Sequence, residues 1–211
     1  MDPLNGLLGR TDPLDALLFA NSKNMLVSPL SKEDLRAKKL SKEAFLDLPR
    51  NPIYLVLDSL KCAHNIGTIL RLADAVLATK VYICGNTIVP PNRKIKDGSR
   101  GAERWVPWEY KERADVVVRE LKKDGVLIVS LEMATASIPY TQADYRLPVC
   151  LVMGREYDGV SPEVLELSDY VVHLPIYGMA NSINVSTATS VLIYEVLKLV
   201  KTPSPPLRAA A

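Results

Sequence analysis

From residue 53 onward, short apolar runs alternate with segments of helical periodicity, and this alternation restricts the fold more than any other feature of the chain. The runs at 53–58 and 81–84 have the length and β-branched content of buried strands, and apolar residues recur between them with helical spacing. Similar runs follow at 126–131, 148–153 and 170–174. The pattern predicts an α/β fold with a mostly parallel sheet and helices on both faces.

The chain divides into three predicted parts. Residues 1–50 contain two Asp-Pro helix starts and a capping-box-like SKED sequence, so we expect them to form a helical arm or extension. Residues 51–201 are expected to form one domain, because 211 residues favour a single main core. Residues 202–211, TPSPPLRAAA, are expected to be disordered.

Composition excludes several classes of protein. No apolar run reaches the 18 residues that span a bilayer, so no membrane segment is expected. The three cysteines Cys62, Cys84 and Cys150 lack metal or redox spacing, and the two histidines lie far apart, so we expect no metal site. No basic-then-apolar leader opens the sequence, which together with the cysteines favours a cytoplasmic protein.

One stretch concentrates positive charge, although a net charge of +2 is too small to indicate nucleic-acid binding by itself. The basic segment, residues 93–104, ends just before Trp105 and Trp108. Its cations are Arg93, Lys94, Lys96, Arg100 and Arg104. The segment is either a loop that contacts RNA phosphates beside stacking aromatics or a solvated loop next to two core tryptophans.

Three polar loops follow apolar strands: CAHNIG (62–67), GREYDGVS (154–161) and the loop 174–184. The carboxyl ends of parallel strands meet at one edge of a sheet, where such folds bind ligands. Neither GxxxxGK[ST] nor a GxGxxG after the first strand is present, so a phosphate loop and a dinucleotide site are not expected. We therefore expect a different small-molecule site at this edge.

In the first loop, Asn65 is expected to cap the following helix. Arg71 falls opposite the apolar stripe of that helix, so it is expected to leave the core, and an ordinary surface arginine is the alternative. In the second loop, Glu156 stands between two glycines, which is typical of a turn. In the third, Ser182 and Asn184 precede a helix; they exceed what capping requires and so suggest a ligand.

The segments HNIGTILRLADA (64–75), LVMGREYDGVSPEVL (151–165) and LPIYGMANSINVSTATSVLIYE (174–195) resemble the three motifs of the SpoU, or TrmH-type, SPOUT RNA methyltransferases, in the family's order and spacing. The resemblance covers about residues 53–200. It implies S-adenosylmethionine (SAM) as methyl donor and a ribose 2′-hydroxyl of tRNA or rRNA as acceptor. It also implies a homodimer and a trefoil knot at the carboxyl end.

The resemblance implies two sets of site residues. The catalytic or RNA-contacting set is Asn65, Arg71, Glu156, Ser182 and Asn184. The cofactor-binding set is Leu131, Gly154, Leu174, Ile176 and Ile183. In this context we favour an RNA-contacting role for the basic segment. The second motif departs from the family, because Arg155 and Tyr157-Asp158 replace smaller residues beside Glu156.

The family's arginine has been considered a base, whereas a guanidinium normally stays protonated. We expect Arg71 to hold the target phosphate and stabilise charge on the 2′-oxygen, with Glu156 orienting rather than abstracting. The rival functions are a catalytically silent RNA-binding protein of the same fold and a SPOUT enzyme that methylates a base nitrogen. The intact candidate residues favour catalysis, and the SINVS form of the third motif favours ribose. A resistance determinant acting on rRNA is a further reading of the same reaction.

Overall fold

A computed structural model describes residues 47–200 of the chain together with the single positions 29, 31, 33 and 45. The predicted disordered tail and nearly all of the predicted N-terminal helical arm lie outside the described residues. The chain divides into two compact units, Met1–Leu40 and Ser41–Ala211, and every helix and strand named below belongs to the second.

The second unit alternates strands and helices, as its apolar pattern predicts. The elements are, in order, β1 (Asn51–Asp58), α1 (Ala63–Ala75), β2 (Ala78–Cys84), α2 (Arg93–Ser99), β3 (Trp108–Lys111), α3 (Ala114–Lys123), β4 (Leu127–Leu131), β5 (Ile138–Pro139), β6 (Val149–Met153), α4 (Pro162–Leu165), β7 (Tyr170–His173) and α5 (Val185–Leu197). Short 3₁₀ turns at Ala102–Arg104 and Tyr140–Gln142 complete the set.

These seven strands form one sheet in the order β3-β2-β1-β6-β4-β7-β5, and every neighbouring pair is parallel. From β1 the chain builds outward through β2 to β3, and β4 then returns to the other side of β1, from which β6 separates it. The direction of winding therefore reverses beside β1 and β6, and a crevice forms at the carboxyl ends of the strands at such a reversal.

Helices cover both faces of the sheet, which confirms the predicted α/β class. On β1, Ile53, Leu55 and Leu57 belong to the cluster formed with α1, α2 and α5, whereas Val56 points to the cluster formed with α3 and α4. Successive side chains of a strand alternate between faces, and here both faces are buried. This explains why the strands appear in the sequence as continuous apolar runs.

The basic segment is a helix rather than the expected loop. Asn92 caps α2 by accepting hydrogen bonds from the backbone N–H groups of Lys94 and Ile95, and a 3₁₀ turn follows. Glycines allow α2 to lie directly on α1: a Cβ added to Gly67 would lie 2.3 Å from the Ile95 carbonyl oxygen, and one added to Gly98 would lie 2.7 Å from that of His64. The basic segment is thus fixed to α1 by close backbone contact.

Smaller differences concern element ends. Residues 108–111 form the edge strand β3, which the apolar runs did not predict, and α3 begins at Ala114. The last helix ends at Leu197, and Val191 within it and Leu199 just after it are 37% and 38% exposed. The trefoil knot stays a prediction of the resemblance. Among the helices of the described part, none combines the length and apolar character needed to cross a membrane.

Candidate active site

A cavity of about 450 Å³ lies at the carboxyl edge of the sheet, bounded by the segments that follow β4, β6 and β7 and by the start of α5. Its volume lies within the range of pockets that hold cofactors and other small molecules. All five predicted cofactor-binding residues line it, namely Leu131, Gly154, Leu174, Ile176 and Ile183. The structure therefore brings together residues that are distant in sequence, from strand ends that are neighbours in the sheet.

The charged groups that line the cavity are mainly carboxylates. Glu132 and Glu156 both line it. The cation Arg155 also lines it, but its guanidinium pairs with the Asp158 carboxylate at 3.0 Å. A surplus of negative charge is complementary to a cationic ligand. No group of three or more His, Cys, Asp or Glu side chains able to hold a metal ion occurs in the described residues.

Sequence reasoning missed Glu132 and His173 as lining residues. The Glu132 carboxylate accepts hydrogen bonds from the N–H groups of Met133 (2.9 Å) and Val160 (2.8 Å), and His173 Nδ1 lies 2.9 Å from Ser137 Oγ. Glu132 directly follows β4 and His173 is the last residue of β7. Their position at the carboxyl ends of strands is the signal that could have identified them.

Glu156 joins the second loop to the start of α1. Its Oε2 accepts a hydrogen bond from the Lys61 N–H at 3.1 Å, and its Oε1 accepts from the Cys62 N–H at 3.1 Å and from Asn65 Nδ2 at 3.0 Å. The N-terminal N–H groups of a helix lack partners within the helix and carry partial positive charge. The N-cap residue Cys62 provides no side-chain cap, and Glu156, from a distant part of the chain, accepts a hydrogen bond from the Cys62 N–H group at the helix start.

The capping role predicted for Asn65 is wrong. Asn65 is the third residue of α1, where its buried amide bridges two loops: besides donating to Glu156, its Oδ1 accepts from Asn184 Nδ2 at 3.1 Å. Asn184 caps α5, since its Oδ1 accepts from the N–H groups of Ser186 and Thr187. The hydrogen-bonded side chains of Glu156, Asn65 and Asn184 therefore connect all three motif loops in one network.

Hydrogen bonding governs the ionisation of Glu156. Partial burial acts to raise the pKa of Glu156, but the hydrogen bonds from the Lys61 N–H, the Asn65 amide and the Cys62 N–H outweigh it, so the pKa is lowered from its ordinary value of 4.5. The carboxylate is ionised at neutral pH and both of its oxygens already accept hydrogen bonds. This arrangement suits an orienting group better than a proton acceptor.

A Glu156→Gln variant is expected to lose stability mainly above the ordinary glutamate pKa. The folded protein lowers this pKa, so the ionised carboxylate stabilises the fold fully above pH 4.5, and the contribution disappears as the pH falls through the lowered value. We expect the difference in unfolding free energy between wild type and variant to shrink from pH 7 to pH 3.5 in urea titrations. A difference that stays constant over this range would contradict a stabilising role for the ionised Glu156 carboxylate.

The second loop is a tight, heavily bonded turn. A Cβ on Gly154 would lie 2.1 Å from the backbone of Gly159 and Val160, and Gly159 has a φ of +71°, so both positions require glycine. Arg155 and Gly159 exchange two backbone hydrogen bonds of 3.0 Å, and the Asp58 carboxylate accepts from the Ser161 N–H at 2.9 Å. The turn predicted from the two glycines is confirmed.

The remaining predicted catalytic residues occupy different places. Ser182 is exposed and lines the cavity. Arg71 is exposed on α1, as its position opposite the apolar stripe predicts, but it does not line the cavity. It follows Asn65 by six residues, or about 9 Å along a helix axis. A ligand that reaches both Ser182 and Arg71 must therefore extend from the cavity across the exposed face of α1.

The cations of the basic segment face solvent without ionic partners. All five side chains are exposed, and within the described residues neither they nor Arg71 take part in an ion pair. Most other basic side chains in this part of the chain are paired with a carboxylate, for example Lys80 with Glu109 at 2.6 Å. Unpaired positive charge is thus concentrated on α1 and α2.

The two tryptophans after the basic segment serve the fold. Trp105 Nε1 donates to Asp74 of α1 at 2.9 Å, and Trp108 Nε1 donates to the Glu103 carbonyl oxygen at 3.0 Å. Both rings are half-buried and pack against the main core cluster. The Arg104 guanidinium lies 5.5 Å from the centre of the Trp105 ring. The alternative of core tryptophans is therefore correct for these indoles, although the adjacent cations remain exposed.

The parallel sheet with a small-molecule cavity and a three-loop network at its carboxyl edge defines an α/β ligand-binding domain. Residues 52–194 match the model of the SpoU rRNA Methylase family, so this chain belongs to that family. The match spans every element from β1 to most of α5. It confirms the family to which the three motifs point.

Individual relatives agree with this assignment. The chain is 34% identical over 151 residues to a tRNA (guanosine(18)-2′-O)-methyltransferase of Aquifex aeolicus, covering 71% of each chain. It is 31% identical over 170 residues to the 23S rRNA (guanosine-2′-O-)-methyltransferase RlmB of Ralstonia nicotianae, covering 80% of this chain and 68% of the relative. Other relatives are longer, and the chain spans 59% of YacO from Bacillus subtilis.

A solved structure shares the fold and contains a ligand. The AdoMet-bound rRNA methyltransferase from Sinorhizobium meliloti superposes with a TM-score of 0.67 at 27% identity. The match covers 75% of this chain and 61% of that one, so this chain spans less than two thirds of its neighbour. AdoMet is another abbreviation for SAM, the cofactor that the sequence resemblance implies for this chain.

Proposed function

We propose that this chain is a SAM-dependent RNA methyltransferase that modifies a ribose 2′-hydroxyl of tRNA or rRNA. The observation that carries the proposal is the network of Glu156, Asn65 and Asn184, which fixes the three motif loops around one cavity. Two of the relatives named above are guanosine 2′-O-methyltransferases, one of tRNA and one of 23S rRNA.

The cavity fits SAM in size and charge. Its volume of about 450 Å³ accommodates a ligand of this class, apolar side chains line the strand ends, and its carboxylates complement a cation. Leu131, Gly154, Leu174, Ile176 and Ile183 would hold the cofactor. When bound, SAM supplies an electrophilic methyl carbon on a positively charged sulfur, so no metal is required for the transfer.

The protein's own contribution is alignment and charge stabilisation. Ser182 at the cavity would position the ribose, and Asn184, held by its bonds to Asn65 and to the start of α5, would fix the adjoining loop. Arg71 would bind the phosphate next to the target ribose and stabilise negative charge as the 2′-oxygen gives up its proton to phosphate or water. Glu156 would orient Asn65 without taking the proton.

Product analysis tests this function. The protein is incubated with isotope-labelled SAM and separate tRNA and rRNA pools, and the RNA is digested to nucleosides for mass spectrometry. We expect label in a 2′-O-methyl nucleoside. Label on a base would show the base-methylating reading to be correct, and RNA binding without label would favour the catalytically silent one.

We further propose that the basic segment and Arg71 bind the RNA backbone. Reversal of three exposed cations, Arg93, Lys94 and Lys96, to glutamate is expected to weaken RNA binding at least tenfold in 0.1 M salt. A plot of the logarithm of the RNA association constant against the logarithm of the salt concentration should also become less steep. Its slope should fall in magnitude by about 2 to 3, because each lost phosphate contact contributes about 0.7 to 0.9. Fluorescence anisotropy at several salt concentrations measures both quantities.

A matched control separates local contact from net charge. Reversal of Arg119, Lys123 and Arg146, which are exposed but lie outside the basic segment, changes the net charge equally. This variant is expected to retain most of the RNA affinity. Equal losses in the two triple variants would show that only overall charge matters and would remove the basic segment from the RNA-binding surface.

We also propose a cytoplasmic homodimer. The outer side of α5 exposes apolar surface at Val191 and Tyr194, which suits contact with a second copy. The three cysteines are free thiols, in keeping with a reducing compartment.

A further inference from the structure

The three most exposed large apolar side chains lie in two of the loops that bound the cavity. Tyr157 and Met179 are 100% exposed and Tyr177 is 97% exposed, and they belong to the loops that follow β6 and β7. No other large apolar side chain in the described part exceeds 54%. Single exposed apolar residues are common on protein surfaces, but three nearly fully exposed ones in the loops that bound one cavity indicate a binding surface.

Tyr157 is the member of this group that itself lines the cavity, and its backbone is firmly held. The preceding residue, Glu156, is hydrogen-bonded to the start of α1. Arg155 and Asp158, on either side of these two residues, form an ion pair with an N–O distance of 3.0 Å. The turn is closed by the two backbone bonds between Arg155 and Gly159. The backbone that carries the ring is already ordered, so a flat ligand that stacks on it has only the side-chain rotamer to fix.

The aromatic residues of the basic segment do not offer such a surface. The N–H groups of Trp105 and Trp108 are bonded within the protein, and both rings pack against the core. Within the described residues the Tyr157 side chain makes no hydrogen bond, and its ring is fully open to solvent. The surface that contacts the RNA backbone, the basic segment, is therefore separate from the surface that contacts a base, Tyr157.

We propose that Tyr157 is the stacking platform for the nucleobase of the nucleotide whose ribose is methylated. This inference rests on the proposed function, because the acceptor ribose must approach the cavity from its solvent side, where Tyr157 stands. Every base has a flat face, so stacking selects an accessible base without selecting its identity. The acceptor is then an unpaired nucleotide in a loop or bulge, since the bases of a duplex are already stacked.

Tyr157→Ala is expected to raise the KM for RNA by about 5- to 150-fold, the range that loss of one base–aromatic stack produces. Tyr157→Phe keeps the ring and should stay within about twofold of wild type. The dissociation constant for SAM, measured by calorimetry, should be unchanged in both variants.

A substrate without the target base tests the contact itself. Once the methylated nucleotide is known from mass spectrometry, an RNA fragment is prepared with an abasic ribose at that position. Wild type should lose about as much kcat/KM on this RNA as Tyr157→Ala loses on the intact one, and the variant should lose little more on the abasic RNA. Tyr177→Ala, a matched exposed tyrosine, should keep the wild-type sensitivity to removal of the base.

Three results would overturn the inference alone: equal sensitivity of Tyr157→Ala and wild type to the abasic site, a loss of SAM affinity in Tyr157→Ala, or a change in its oligomeric state in sedimentation. The second would mean that Tyr157 contacts the cofactor, and the third that a second copy covers it. A wild-type protein that transfers no methyl group to intact RNA would overturn the proposed function and this inference with it.

Discussion

Arg71→Ala is expected to lower the rate of methyl transfer to RNA by at least about a hundredfold while leaving SAM affinity within twofold of wild type. SAM affinity should be kept because Arg71 is exposed on α1, lies outside the cavity and takes part in no ion pair among the described residues. Removing one group that stabilises developing negative charge typically costs two to three orders of magnitude in rate. Single-turnover transfer and calorimetric SAM binding measure the two effects separately.

The conservative variant Arg71→Lys is the control. It keeps the charge but loses the planar fork that binds phosphate through two hydrogen bonds, so partial activity is expected. A large fall in SAM affinity in Arg71→Ala would place this residue in cofactor binding, contrary to its position on α1. Nearly normal transfer by the same variant would show it to be an ordinary surface arginine.

Gly154→Ala is expected to abolish SAM binding and to destabilise the fold. The added Cβ would lie 2.1 Å from the backbone of Gly159 and Val160, and that backbone is held by hydrogen bonds to Arg155 and to the Glu132 carboxylate. Overpacking of a rigid site costs about 1 to 3 kcal/mol, and contact with backbone places this change at the upper end. A loss of about 3 kcal/mol corresponds to a melting temperature about 6 to 12 °C lower for a chain of this size.

Gly178→Ala provides the comparison within the third loop. A Cβ at Gly178 has nothing within 4 Å, so this change is expected to alter stability by less than about 0.5 kcal/mol and to leave SAM binding intact. Thermal unfolding and calorimetry of both variants give the result. If Gly154→Ala bound SAM and unfolded like wild type, the tight turn could not be part of the cofactor site.

The strands of the fold were predictable because they are buried on both faces. β1 and β6 appear in the sequence as unbroken apolar runs, and the sheet places their side chains alternately in two separate clusters. By contrast, α2 has seven residues and buries one large apolar side chain, Ile95, so no helical period was visible. The four-residue strand β3 carries mostly half-buried and exposed side chains at the sheet edge, and it was missed for the same reason.

The lining of the cavity was predictable in part, whereas the hydrogen bonds between its loops were not. The second and third motifs supplied four of the five cofactor-binding candidates that line the cavity, and the fifth, Leu131, ends β4 outside the motifs. The bond between Asn65 and Glu156 joins residues 91 positions apart, and the bond between Asn65 and Asn184 joins residues 119 apart. Local capping rules therefore predicted that the Asn65 side chain bonds the start of its own helix, whereas its partners lie in distant loops.

The most direct test is a crystal structure of the protein with SAM. The donor should occupy the cavity between Gly154, Leu174 and Ile183, with its methyl carbon directed toward the solvent side that carries Ser182 and Tyr157. A donor bound at another surface, or motif loops that separate when it binds, would contradict the proposal that three distant segments build one methyl-transfer site.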